Sequence, residues 1–282
     1  MIVIKNVNMV YIFSQNGAHS PSVTRNRSRK MREILGVALD LATEGGLDNL
    51  TLHRLADRMG RSVAAVYRYF PSREAVIAEL QRLIAVHIRA LSEDALSRVN
   101  AWTKEAGLSE QDHLFAALLT SGLAYEAYAR NAPGEFGLVT RYLSTVEYVL
   151  PERDAAHVFS VTSEGLDALA SQIEAAEKAG LITTANGASD TPRDRAVMFW
   201  AALQGSINAQ KFVRRGGWPL SSSLTRDLMV SLIAGWGGNP ERLSELAMAI
   251  ESEGLTTPRL KVDALLDPNS TYSDDVPSDS DT

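Results

Sequence analysis

Apolar residues recur at three- and four-residue spacing along almost the whole of this 282-residue chain, and that period constrains its fold more than any other feature. Such a stripe buries one side of an α-helix, whereas a half-buried strand needs strict alternation, and no segment shows convincing alternation. The chain is therefore read as all-α. Between Arg29 and Glu44 the stripe is Ile34, Leu35, Ala38, Leu41 and Ala42, and Gly45-Gly46 ends that helix. Thr51 suits the N-cap of a short helix burying Leu52, Leu55, Ala56 and Met59, and Gly60 breaks it. Ser62 can cap a third helix to about Tyr69, with Val66 and Phe70 inside. Pro71-Ser72 starts a long fourth helix striped by Val76, Leu80, Leu83, Ile84, His87, Ile88 and Leu91.

Start and stop signals divide the rest. Ser109 to Asp112 resembles a capping box ahead of a helix to about Asn131. Pro133-Gly134 is a break before a helix over 135–149, and Pro151 precedes one from about Glu152 to Lys178, ended by Gly180. After a polar loop over 183–190, Thr191-Pro192-Arg193-Asp194 supplies an N-cap, a proline at N1 and an acid at N3 for a helix to about Arg214. Two further helices are expected, from about Ser223 to Trp236 and from Asn239-Pro240 to near Gly254. The tail DPNSTYSDDVPSDSDT is acidic and poor in apolar residues, as disordered segments are.

Composition removes several classes of chemistry. There is no cysteine, hence no disulfide and no thiolate nucleophile. The histidines (His19, His53, His87, His113, His157) never fall at the spacing of a helical metal pair, so no metal site and no cofactor is expected. No G-x-S-x-G, H-E-x-x-H or phosphate loop occurs, and no catalytic residue is assigned. No apolar run reaches the roughly 18 residues of a membrane span. The apolar start MIVIKNVNMVYIF is interrupted by Lys5, Asn6 and Asn8 and has no clean cleavage site, so residues 1–22 read as a poorly ordered leader and the cytoplasm as the default location.

Charge is shared unevenly. The chain carries a net −6, yet residues 24–82 hold 11 Lys and Arg against 7 Asp and Glu. Five of those cations lie in RNRSRKMR, residues 25–32, without an acid. A local basic segment in an acidic chain fits either a solvated arm or a polyanion contact confined to that part. Residues 51–69 have the layout of a helix-turn-helix, two short helices joined by a turn containing glycine. In DNA-binding versions the second helix enters the major groove. The side chains not needed for packing are then Arg61, Ser62, Ala64, Ala65, Arg68 and Tyr69. Arginine can pair with guanine, small alanines permit close approach, and Thr51, Tyr67, Tyr69 and Arg73 suit phosphate oxygens.

The wording of the segment is more specific than its spacing. ILGVALDLATEGG, LTLHRLADRMG, and SVAAVYRYF followed by PSREAV resemble the N-terminal domain of TetR/AcrR-family transcriptional regulators over about 55 residues. Over 100–254 only the helical layout fits. The resemblance implies an all-α homodimer: an N-terminal three-helix head joined by a long fourth helix to a larger ligand-binding and dimerisation body. The implied domains are a leader over 1–22, a DNA-binding domain over 23–72, the body over 73–254, and a C-terminal extension with a disordered acidic tail over 255–282. It implies a sequence-specific regulator, usually a repressor released from a palindromic double-stranded operator by a small molecule. The expected DNA contacts are Arg25, Arg27, Arg29, Thr51, Arg61, Ser62, Val63, Ala64, Ala65, Tyr67, Arg68, Tyr69 and Arg73. Two positions depart from the family: Arg61 stands where many members have valine, and Val63 where many have lysine.

In the body the resemblance assigns dimerisation to helices about 192–214 and 223–236, with Ala196, Ala201, Ala202, Gly205, Ala209, Leu228, Met229, Leu232 and Ile233 as their small and apolar residues. Aromatic and polar residues within otherwise apolar helices are the pocket candidates: Phe115, Tyr125, Tyr128, Phe136, Tyr142, Phe159, Trp200, Gln204 and Asn208. Gln204 and Asn208 form a polar pair one turn apart. Other classes remain on the residues alone: an all-α enzyme, or a helical adaptor whose basic arm binds an acidic partner. The alanines on the open face of a short capped helix speak against the adaptor.

Overall fold

The structure, a computed structural model, describes residues 21–144, 152–183, 191–216, 224–259 and 266. Nearly all of the expected leader, the end of the helix over 135–149, most of the loop over 183–190 and the acidic tail lie outside the described residues. Among the described residues there are ten α-helices, one short 3-10 helix and no strand. None of the described helices is long and apolar enough to cross a membrane.

The chain forms two compact units. One comprises residues up to His87 with 134–161 and 260–282; the other comprises 88–133 and 162–259. This grouping differs from a simple cut after residue 72, because half of the fourth helix and the helix beginning at Pro133 join the head.

The first unit opens with α1, Pro21–Gly45. It begins at Pro21 rather than near Arg29. The apolar stripe of the sequence starts at Ile34, but Ser28 and Met31 are also buried and continue it backwards at helical spacing. A 3-10 helix, Leu47–Asn49, leads to α2, Leu52–Arg58, and α3, Val63–Tyr67. Then α4, Arg73–Glu105, contributes its first half to this unit, and α6, Pro133–Ser144, starts on the proline expected to be only a break. Leu35, Leu50, Leu55, Val66 and Phe70 are enclosed in the core. A buried pair, Glu79 and Arg82 at 2.7 Å, and a bond from Gln81 Nε2 to the Leu138 carbonyl at 2.8 Å add polar order to the face of α4.

The second unit holds the rest of α4 with α5, Glu110–Asn131, the later part of α7, Glu152–Lys178, and α8, Pro192–Gly216. It closes with α9, Leu224–Gly235, and α10, Pro240–Ser252. Its core runs through Phe115, Leu118, Leu119, Ile173, Phe199, Ile233, Leu243 and Ile250. Gly122 lets α9 approach α5 closely, since a Cβ there would run into the sulfur of Met229. Ala196, Met229 and Ile233, expected in a dimer seam, lie instead in this core.

The helix starts are capped as their residues dictate. Ser109 and Asp112 exchange both bonds of a capping box, Thr191 receives the Asp194 N–H, and Asn239 receives that of Arg242. Asp112 also takes a two-pronged contact from Arg242 at 2.7 and 2.9 Å. Arg242 first, then Ser109, holds the Asp112 carboxyl down to about 2 from an ordinary 3.8. A depressed acid stabilises the fold above its unfolded pKa and loses that contribution as pH falls through the folded value. Asp112→Asn is therefore expected to lower the thermal midpoint at pH 7 by an amount corresponding to on the order of 1 kcal/mol, after allowance for solvent screening. The gap to the wild type should close between about pH 4 and pH 2. A gap independent of pH would remove the charge from this account.

Candidate nucleic-acid interface

Gly60 sets the angle between α2 and α3. Its φ of 61° is in the left-handed region, and it closes α2 with two bonds, Gly60 N–H to Asp57 C=O at 3.0 Å and Arg61 N–H to Ala56 C=O at 2.9 Å. That pair satisfies the last carbonyls of α2 and turns the chain sharply. Thr51 caps α2 by accepting from the Arg54 N–H, and Ser62 caps α3 by accepting from the Ala65 N–H.

Burial of Val66 and Phe70 then decides which way α3 faces. Ala64, Tyr67 and Arg68 point to solvent, Tyr67 with 53% of its surface open, and Val63, Ala65 and Tyr69 are half-buried. An open helix face made of an alanine, a tyrosine and an arginine can come close to base edges without a steric barrier.

The cations expected on DNA divide into two groups. Arg25, Arg29 and Arg68 are exposed. Arg27 donates to the Arg68 carbonyl at 3.4 Å and lies 5.5 Å over the Tyr69 ring, so it braces the end of α3 against α1. Arg61 is paired with Glu33 at 3.1 Å, bracing the start of α3. Arg73 donates from Nε to the Leu50 carbonyl and from a terminal nitrogen to the Leu47 carbonyl, both at 2.7 Å. Its guanidinium ties the 3-10 turn to the start of α4. Glu33, which receives both Lys30 and Arg61, has no signal in the sequence beyond being the first acid after RNRSRKMR.

The pocket candidates are divided between the units. Phe136, Tyr142 and Phe159 fall in the first, where Phe136 is buried and Phe159 is 64% exposed; the side chain of Tyr142 lies outside the described residues. Phe115, Tyr125, Tyr128, Trp200, Gln204 and Asn208 fall in the second. Phe115 and Tyr128 are buried there, and the Trp200 indole bonds Tyr125, whose phenol burial pushes up to about 12. Gln204 is buried with neither its oxygen nor its nitrogen bonded to any described residue, while Asn208 is half-buried. Among the described residues no group of three or more His, Asp or Glu is placed to hold a metal ion.

Residues 34–80 match the family model described as bacterial regulatory proteins, tetR family. No curated protein matches the chain. Solved structures resemble it in fold. One is a protein of unknown function from a Rhodococcus species, 21% identical, covering 79% of this chain and 96% of its own, with a TM-score of 0.50. Another is the TetR family transcriptional regulator PfmR from Thermus thermophilus, 17% identical, covering 81% and 99%, with a TM-score of 0.47. A TetR family regulator from Agrobacterium tumefaciens is 16% identical, covering 77% and 99%, at 0.47.

The double contact of Arg73 generates a test. Arg73→Lys keeps the charge but offers one ammonium where two carbonyls need a fork. It is expected to cost about 2 kcal/mol of stability in denaturant unfolding, the scale of a bond from a charged donor to a buried carbonyl. Unchanged stability with weakened DNA binding would assign Arg73 to phosphates instead.

Proposed function

We propose that this chain, which belongs through its head to the tetR family of bacterial regulatory proteins, is a repressor that binds a palindromic operator as a homodimer and leaves it when a small molecule binds the second unit. The observation that carries the reading is the capped pair α2 and α3, within the matched segment, with Ala64, Tyr67 and Arg68 on an open face opposite buried Val66 and Phe70. Arg68 is the side chain on that face able to form a forked pair with guanine, Ala64 supplies contact to a thymine methyl, and Tyr67 suits a phosphate. Exposed Arg25 and Arg29 on α1 add cationic surface for the backbone.

The dimer reading draws on α8. Val197, Ala201 and Gly205 recur one turn apart on an exposed face, with Met198 beside them, and Val197 and Met198 keep 44% and 47% of their surface open. A two-fold interface places the same patch on both subunits, and a flat face of small and apolar residues suits that. The effector reading draws on Gln204. An amide buried without partners costs about 1–3 kcal/mol, which a ligand offering both an acceptor and a donor would recover. Both α4 and α7 have residues in both units, and α4, which follows α3 directly in the chain, is the segment through which we propose that occupancy biases the head. The setting is cytoplasmic.

Selection of duplexes from a random pool is the direct test. It should enrich an inverted repeat, bound more weakly as salt rises. Ala64→Glu should abolish that binding with little change in thermal stability, because position 64 is exposed. Recovery of no repeat, or full binding by Ala64→Glu, would sink the reading. Gln204→Leu should raise the thermal midpoint of the ligand-free protein and remove its response to whichever effector a compound screen identifies. A lower midpoint would mean that the amide has a partner the fold needs.

A further inference from the structure

Arg61, one of the two positions at which the segment departs from the pattern of the family it resembles, does not stand alone. Its terminal nitrogen lies 3.1 Å from Glu33 Oε1, and the other oxygen of the same carboxylate takes Lys30 Nζ at 2.7 Å. All three side chains keep a third or so of their surface open, at 39% for Arg61, 36% for Glu33 and 30% for Lys30. Two cations thus converge on one oxygen pair of an acid at the solvent boundary beside the start of α3. Lys30 first, then Arg61, holds the Glu33 carboxyl below its usual range, so it is anionic at neutral pH.

A carboxylate receiving two cationic donors presents them with the same chemistry as a phosphate: a diffuse negative charge with paired oxygen acceptors. We propose that Glu33 is an internal stand-in for DNA phosphate, occupying Arg61 and Lys30 in the free protein and setting how strongly the head binds DNA of any sequence. The inference rests on the head being a DNA-binding surface. On a duplex, a backbone phosphate reaching Arg61 must displace a partner already in place, so the gain is the difference between two ion pairs. The acid also repels phosphates directly. Both effects weaken binding that depends on charge alone, and they leave contacts to base edges on Ala64 and Arg68 untouched. The ratio of specific to nonspecific affinity rises accordingly, and Glu33 acts as a specificity-determining residue without touching a base.

The test compares Glu33→Gln with the wild type on two probes: the duplex recovered by selection with the wild-type chain, and a scrambled duplex of equal length and composition. The variant should bind the scrambled duplex about threefold or more tightly between about 0.05 and 0.2 M salt. Its log–log salt slope should steepen by about 0.9 for each cation released to a phosphate. The ratio between the probes should fall. Arg61→Ala in the Glu33→Gln background should cancel most of the gain, because the released arginine supplies it. Weaker binding to both probes with an unchanged slope would overturn the proposal and leave Glu33 as a packing brace, which a lowered thermal midpoint would identify. An unchanged affinity for the scrambled duplex would overturn it as well. Failure of the wild type to select any duplex would instead strike at the DNA-binding reading itself.

Discussion

A helix of five residues does not hold itself together in water, because fixing the first turn sets about six dihedrals for a single hydrogen bond. Yet α3, Val63–Tyr67, is the element on which the proposed DNA-binding surface depends. It exists because Val66 and Phe70 are enclosed, an apolar gain of roughly 1.5–3 kcal/mol each, and because Ser62 caps its start. The same two side chains fix its rotation. Once they point inward, Ala64, Tyr67 and Arg68 have only the solvent side left. The turn that delivers α3 is as strict, since Gly60 at a positive φ closes α2 with two backbone bonds in one residue step.

Around this small helix the cations serve first as struts. Arg27 reaches the end of α3, Arg61 ties its beginning to α1, and Arg73 fastens the 3-10 turn ahead of α2. A guanidinium is suited to this because its planar fork bridges separate acceptors while its outer edge stays wet. The basic excess of the head is therefore partly spent on bracing, and the charge turned outward is smaller than the residue count suggests. Exposed Arg25, Arg29 and Arg68 carry the part that is turned outward.

What could be read in the sequence follows from how local each cause is. The start of α7 after Pro151, the Ser109–Asp112 box and the Thr191 cap are set by neighbours within four residues, and they stand where the spacing puts them. The open face of α3 is legible for the same reason. The partners of the arginines are not, because Arg27 and Arg68 are 41 residues apart, and Arg61 and Glu33 are 28 apart. No periodicity links such positions. The early start of α1 is hidden for a different reason: Ser28 continues the buried stripe with a polar residue, which an apolar template passes over.

The body shows a contrast that local reading also misses. Across α5, α8 and α9, Ser206 bonds Thr225 at 3.1 Å, Gln210 bonds Thr225 at 3.2 Å, and Gln210 bonds Glu126 at 2.9 Å. That cluster is a closed exchange of donors and acceptors, as buried polar groups in a stable core require. Gln204, on the same helix and buried, has no such exchange with any described residue. Both amides look alike in the sequence, as polar interruptions of an apolar helix. Only three-dimensional placement separates a glutamine that completes a network from one that leaves two polar atoms waiting. A core built for stability alone would carry leucine at position 204, and that departure from the pattern is what the proposed effector contact rests on.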